Sequence, residues 1–468
     1  DDDKIYLFSK DSSTPLWSYS AGTPVRAVAI SADGEYIIAG TTDDKVYLFD
    51  KNSSTPLWSY SAGNYVDAVA ISADGEYIVA GSDDNKVYLF DKDSSTPLWS
   101  YGTAGAILSV SISSDGEYIA AGSHDDKVRL FHKDSSTPLW GYGTAGDIFT
   151  VSISSDGEYI VAGSYDDNVY LFDKDSSTPL WSYTAESYVY YVGISEDGEY
   201  IVAGSDDDKV YLFDKDSSTP LWNYTTETSV RSVAISADGE YIVAGSFAVY
   251  LFDKDSSTPL WNYELIGAVA ISADGEYIAG SGSLWGNRVF LFGKNSSVPL
   301  WSYETLNWVN TVAISADGEY IVAGSDDQFV YLFDKDSSTP LWSYGTEDQV
   351  NTVAISTDGE YIVAGSDDDN VYLFDNNISQ NGGDGDGGGS AKEAVCQHGD
   401  TKLADDGFNH CICNNGEWLC TDMEYKEKDD EGNVTVTDAE EDEEGIPTLS
   451  VITTMAAVAV MALRRRPE

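Results

Sequence analysis

Apolar and polar residues come in short alternating bursts along this chain rather than in a helical stripe. From Val66 to Tyr101 it reads VDAVAIS, ADG, EYIVAGS, DDNK, VYLFD, KDSST, PLWSY. The apolar pieces are rich in Val, Ile, Tyr, Phe and Trp and only five to seven residues long. That composition and length predict strands and are too short for helices. Asp74-Gly75 predicts a tight hairpin, the two residues supplying its φ > 0 positions. Asp83, Asp84 and Asn85 turn the chain again, KDSST is a polar turn, and Pro97 opens a fourth strand where a missing N–H is tolerated on a sheet edge. No segment before residue 445 has a helical period.

This unit repeats. DGEY occurs nine times, with its Asp at 33, 74, 115, 156, 197, 238, 274, 317 and 358, spaced by 41 residues except for one step of 36 and one of 43. Four antiparallel strands per ~40 residues is the signature of one propeller blade. The expected fold class is therefore all-β, a single β-propeller over residues 1–375 with nine blades as the best count and eight as the alternative. The last repeat lacks an outer strand after Phe374, and Leu16–Tyr19 is expected to supply it, so that both chain ends share a blade and Ile5–Phe8 is left over. The chain opens inside a repeat, Asp1–Lys4 matching Asp206–Lys209, as a processed or truncated form would.

VAISADGEYIVAGSDDNKVYLFD resembles the WD repeat, with Leu-Phe-Asp in place of Leu-Trp-Asp and no Gly-His dipeptide. VYLFDKDSSTPLWSY is similar to the outer strands of pyrroloquinoline-quinone-type propellers. That resemblance implies that the recurrent Trp (Trp17, Trp58, Trp99, Trp140, Trp181, Trp222, Trp261, Trp301 and Trp342) packs between neighbouring blades. It covers residues 5–375 and implies a fold, not a function.

Beyond residue 375 the composition changes. Residues 376–393 read as a flexible Gly/Asp linker. Residues 394–425 carry all four cysteines, Cys396, Cys411, Cys413 and Cys420, for which sequence alone permits three pairings. The segment resembles pacifastin-like and von Willebrand C-like modules, with Phe408 and a position near Tyr425 standing where two further cysteines are expected. By that resemblance the pairs are Cys396–Cys413 and Cys411–Cys420, in an oxidising compartment. Zinc bound with His398 and His410 is the rival reading, at a spacing that fits no common zinc module. Residues 426–445 form an acidic, solvated stalk. Ile446–Leu463 is uncharged for 18 residues, enough for a membrane-crossing helix of about 27 Å. Arg464–Arg466 follow and place residues 464–468 in the cytoplasm and the propeller outside. The tail is similar to the PEP- and PGF-type sorting tails of bacteria and archaea, from which Gly445-Ile446-Pro447 departs. Sequons at Asn52, Asn223, Asn295, Asn377 and Asn433 fit a secreted face as glycosylation candidates.

Charge then limits the partners. Against 25 Lys+Arg stand 80 Asp+Glu, a net −55, which excludes nucleic acid as a partner and argues against anionic lipid heads. The acids recur as turns, for which side-chain-to-backbone bonding is the expected role. No cofactor and no metal are expected, weak calcium binding being the minor alternative. DKDSS lacks the central Gly and distant Glu of a calcium loop. His124 and His132 sit where other repeats carry Asp and are read as exposed drift. No catalytic set stands out, so an enzyme is not expected.

What varies between repeats is the approach to the inner strand. One rim position holds Arg26, Asp67, Leu108, Phe149, Tyr190, Arg231, Gly267, Asn310 and Asn351 in turn. With Tyr188 and Trp308, these residues (Gly267 excepted) are the candidate partner-binding face, rich in interface-type side chains. The expected function is a surface-anchored extracellular propeller that binds a cell-surface protein or glycan. The alternatives are a structural acidic envelope component and, less favoured, an extracellular hydrolase or quinoprotein.

Overall fold

The structure, a computed structural model, describes residues 6–9, 15–19, 21–264, 267–282, 287–346, 348–366, 371–375, 401–403, 410–414 and 417–420. The chain divides into two compact units, residues 1–378 with 449–468, and residues 379–448.

Among the described residues the larger unit is built of nine β-sheets, eight of four strands and one of five, with no helix. The repeat maps onto one sheet as expected. Sheet two, for example, is Val66–Ile71, Tyr77–Ser82, Lys86–Asp91 and Trp99–Gly102, each strand antiparallel to the next. The second and third strands, such as YIVAGS and KVYLFD, are buried almost throughout, because both faces of each sheet lie against neighbouring sheets. Sheets are numbered here in chain order, from sheet one at Val25–Ile30 to sheet nine at Val350–Ile355.

The recurrent Trp latches each sheet to the next. Trp58 of sheet one stacks on Phe90 of sheet two at 5.0 Å, and its Nε1–H donates to the Lys92 carbonyl at 2.7 Å. The same pair of contacts recurs from Trp99 to Phe131 and Lys133, and so on to Trp301 with Phe333 and Lys335. Each latch buries a large aromatic surface and satisfies its one polar atom. Trp17 is in a strand whose backbone alone is described.

The hairpin between first and second strands is also stereotyped. In sheet four Ser154 Oγ donates to Asp156 Oδ1 (2.6 Å), the same carboxylate accepts Glu158 N–H (3.0 Å), and Tyr159 N–H donates to Ser154 Oγ (3.0 Å). Here the structure corrects the turn chemistry. Only the Gly of Asp-Gly takes positive φ, 70–73° at all nine copies, and the Asp works through its carboxylate instead. A five-residue connection, Ser72–Glu76 in sheet two, leaves room for this, whereas a two-residue turn would force both central residues left-handed. The positive-φ non-glycines, Asp44, Asn85, Asp126, Asp167, Asp208 and Gln328, lie in the second turn.

At this hairpin end the sheets are joined by backbone hydrogen bonds in series. Ala32 N–H donates to Ala73 O, Ala73 to Ser114, Ser114 to Ser155, Ser155 to Glu196, Glu196 to Ala237, Ala237 to Ala273, Ala273 to Ala316 and Ala316 to Thr357. Thr357 N–H then donates to Ala32 O at 3.2 Å.

Both chain ends share sheet nine, but not through the expected strand. Tyr6–Ser9 pairs in parallel with Val371–Asp375, Tyr6 opposite Tyr372, and Pro15–Ser18 lies outside it as a fifth strand. The Ile5–Phe8 segment is therefore not left over. It is a copy of the third strand, and its Tyr6–Ser9 part takes the open outer edge of Val371–Asp375.

The smaller unit shows a three-stranded sheet, Thr401–Leu403, His410–Asn414 and Glu417–Cys420, whose register sets Cys411 opposite Cys420. Cys396, the linker, the stalk, His398, Phe408, Tyr425, Asn377, Asn433 and the Ile446–Arg466 tail lie outside the described residues. Among the described residues no helix is long and apolar enough to cross a membrane.

Candidate binding face at the channel mouth

The hairpin-side halves of the first strands line a cavity of 370 Å³ with small and apolar side chains such as Ala29, Ile71, Ile112, Ile153, Ile194 and Ile235. The rim positions sit at the other end of these strands, called the mouth below, and none of them lines that cavity.

There the sheets depart from regular pairing. In seven of the nine, the register between first and second strands slips by one residue, between Val25 and Ala27, Val66 and Ala68, Ile107 and Ser109, Ile148 and Thr150, Val189 and Tyr191, Val309 and Thr311, and Val350 and Thr352. The residue skipped is each time the variable one: Arg26, Asp67, Leu108, Phe149, Tyr190, Asn310 or Asn351. A bulge frees one side chain from the pleat and re-aims it. Arg231 and Gly267 precede later-starting strands, Ser232–Ile235 and Val269–Ile271.

A second variable position meets the first. The residue after the second strand donates its N–H to the carbonyl just before the first strand, as Asp83 to Tyr65, His124 to Ala106, Tyr165 to Asp147, Asp206 to Tyr188 and Asp326 to Trp308, at 2.7–2.9 Å. Sequence reasoning read these residues as plain turns. The signal was present, since Thr42, Asp83, His124, Tyr165, Asp206, Phe247 and Asp326 also vary, though less than the rim position.

The mouth has three characters. Across sheets one to three it is ionic. Arg26 Nε lies 3.5 Å from Asp67 Oδ1, and His124 Nδ1 lies 2.9 Å from Asp147 Oδ2. Burial, reinforced by the nearby Asp83 charge and opposed by Arg26, pushes the Asp67 carboxyl up to about 6. Asp83 is raised too, by burial first, with His124 and Arg26 opposing. Leu108 is 2% exposed and offers no surface to a partner, because in this sheet the bulged residue folds into the core.

Across sheets four and five it is aromatic. Phe149 lies 4.7 Å from Tyr165 and 5.1 Å from Tyr190, and Tyr165 stacks on Tyr188 at 3.8 Å. Tyr191 follows at 6.3 Å from Tyr190, and all five rings are half-buried. Burial pushes the Tyr191 phenol up to about 12, Arg231 acting against this and Asp206 with it.

Across sheets eight and nine it is amide-rich. Asn310 Nδ2 donates to Asp326 Oδ1 (2.5 Å) and to the Val350 carbonyl (3.1 Å), Asn351 is half-buried, and Trp308 and Leu306 stand 37% and 73% exposed beside them. Arg231 is exposed.

The acid that follows the variable residue after the second strand is structural, as in sheets four and eight. Asp166 accepts from Tyr170 Oη (2.7 Å) and Ala145 N–H (2.9 Å), and Asp327 from Tyr331 Oη (2.7 Å) and Leu306 N–H (2.8 Å). In sheet three Arg129 replaces the Tyr and grips Asp125 through both oxygens. His124 lies in the turn before the strand Lys127–His132 and His132 at that strand's far end, beside Glu117 at 3.1 Å. Asn52, Asn223 and Asn295 are exposed.

Repeated four-stranded sheets latched by an outer-strand Trp define a β-propeller repeat protein. The chain belongs to the family described as outer membrane protein assembly factor BamB, which matches residues 1–224 and 124–344. A WD domain, G-beta repeat, matches residues 338–375. No curated protein matches the chain. Among solved structures, the computationally designed Ika8 protein is similar, with a TM-score of 0.55 and 15% identity over 79% of this chain and 98% of that one. At that identity the likeness concerns the fold alone.

Proposed function

We propose that this protein is a nine-bladed propeller held at the cell surface, whose channel mouth binds a cell-surface protein or glycan. The observation that carries the reading is the bulge. Near-identical sheets spend an irregularity on a position whose side chain differs from sheet to sheet. The return of the backbone hydrogen-bond series to Ala32 supports closure at nine. Propeller repeats of this kind suit an interaction scaffold. The uncharged span Ile446–Leu463 with Arg464–Arg466 behind it supports an anchor with the propeller outside. Cross-linking on intact cells, with wild type against Tyr190→Ala, Arg231→Ala and Trp308→Ala, tests it. The variants should fold and lose cross-linked partners, and capture equal to wild type by all three would sink the assigned face.

A further inference from the structure

The repeats allow the mouth to be compared position by position. Three variable residues meet there in the sheets where all are described, as in sheets two to five and eight: the one before the first strand, the rim residue, and the one after the second strand. In sheets one to three, six, eight and nine, no more than one of the three is aromatic. Sheets four and five concentrate Phe149, Tyr165, Tyr188 and Tyr190 at these positions, with Tyr191 behind.

Two carboxylates flank this cluster, one of them, Asp147, paired with His124 at 2.9 Å. Asp147 precedes the first strand of sheet four and Asp206 follows the second strand of sheet five. Asp206 acts on Tyr190 and Tyr191, while Arg231 bounds the cluster on the sheet-six side. Aromatic faces carry negative potential and attract cations, the more so beside carboxylates. The chain's net −55 adds a long-range pull on anything positive. A neutral sugar gains nothing from that field.

Resting on the reading of the mouth as the binding face, we propose that the Phe149–Tyr165–Tyr188–Tyr190 cluster seats basic side chains of a partner polypeptide. Arginine fits best, since its planar guanidinium stacks on a tyrosine face and grips a carboxylate such as Asp206 with two N–H groups.

The test is fluorescence anisotropy of the full chain with a labelled octapeptide of alternating glycine and arginine. The comparison probe has citrulline for arginine, which keeps the shape and removes the charge, and a neutral chito-oligosaccharide is the third ligand. The arginine peptide should bind roughly tenfold or more tighter than the citrulline one. Tyr190→Ala and Asp206→Asn should each weaken it about tenfold, whereas Tyr190→Phe, which keeps the ring, should stay within about twofold. Asp93→Asn, which removes one exposed charge at the opposite end of a sheet, should also stay within about twofold. Equal binding of the citrulline peptide, or equal loss in Asp93→Asn and Asp206→Asn, overturns the proposal. Tyr190-dependent binding of the oligosaccharide alone also overturns it but leaves the mouth as the binding face. Failure of that wider reading shows separately, as cell-surface capture indifferent to Tyr190, Arg231 and Trp308.

Discussion

The two ends of each sheet are built on opposite rules. At the hairpin end, Ser154, Asp156, Gly157 and Tyr159 have equivalents in every sheet, with the same bonds within a tenth of an ångström or so. The turn glycine must be glycine twice over. Gly157 has φ +73°, and a Cβ there would lie 2.6 Å from the Tyr118 ring of the preceding sheet. At the mouth end, seven bulges hold seven side chains of which only the two asparagines are alike. One end carries the contacts that make neighbouring sheets interchangeable, which leaves the other free to differ. Individual identity is therefore cheap where the backbone is irregular and costly where sheets interlock.

Substitutions can break this contrast. The largest effect is expected between sheets. Trp181→Ala removes the stack on Phe213 (5.0 Å) and the bond to the Lys215 carbonyl (2.8 Å), and should destabilise by about 3–5 kcal/mol, read as a lower urea midpoint. Next comes Gly157→Ala, where left-handed strain and the Tyr118 clash together should cost about 2–4 kcal/mol in the same measurement.

At the mouth the expected effects are smaller and differently signed. Asp67 has its carboxyl raised from 3.8 to about 6, so the folded state binds a proton more tightly than the unfolded chain. The contribution of Asp67 to stability should therefore fall as pH rises from about 4 through about 6, by up to ~3 kcal/mol. Asp67→Asn should remove that contribution, so thermal melts at neutral pH should favour the variant while melts near pH 4 nearly coincide with wild type. Smallest of all, Tyr190→Ala should change stability by about 1 kcal/mol or less while reducing partner capture. A Tyr190→Ala melt as depressed as that of Gly157→Ala would abolish the contrast between the two ends.

The strand pattern, the repeat count and the inter-sheet Trp were legible because each is written nine times. The turn chemistry was misread because a dipeptide signal says nothing of connection length, and Ser154 with Tyr159 lies outside the dipeptide. The N-terminal pairing was missed because a strand copy carries no mark of which edge it will meet. At the site, the variable rim was visible as variation, but its bulges were not, since a register slip depends on both strands. The joining of Tyr165 to Phe149 and Tyr190 was hidden for the same reason: the residues come from different strands and different sheets.

The parallel pairing of Tyr6–Ser9 with Val371–Asp375 sets a load path. A pull on the chain beyond residue 375 acts along a strand bonded on both edges, to Tyr361–Ser366 on one side and Tyr6–Ser9 on the other. Force along a strand axis loads those hydrogen bonds together, in shear, rather than peeling them one at a time. The seam between Tyr6–Ser9 and Val371–Asp375 is thus built like a lap joint, loaded along its whole length by any pull in the direction of that strand.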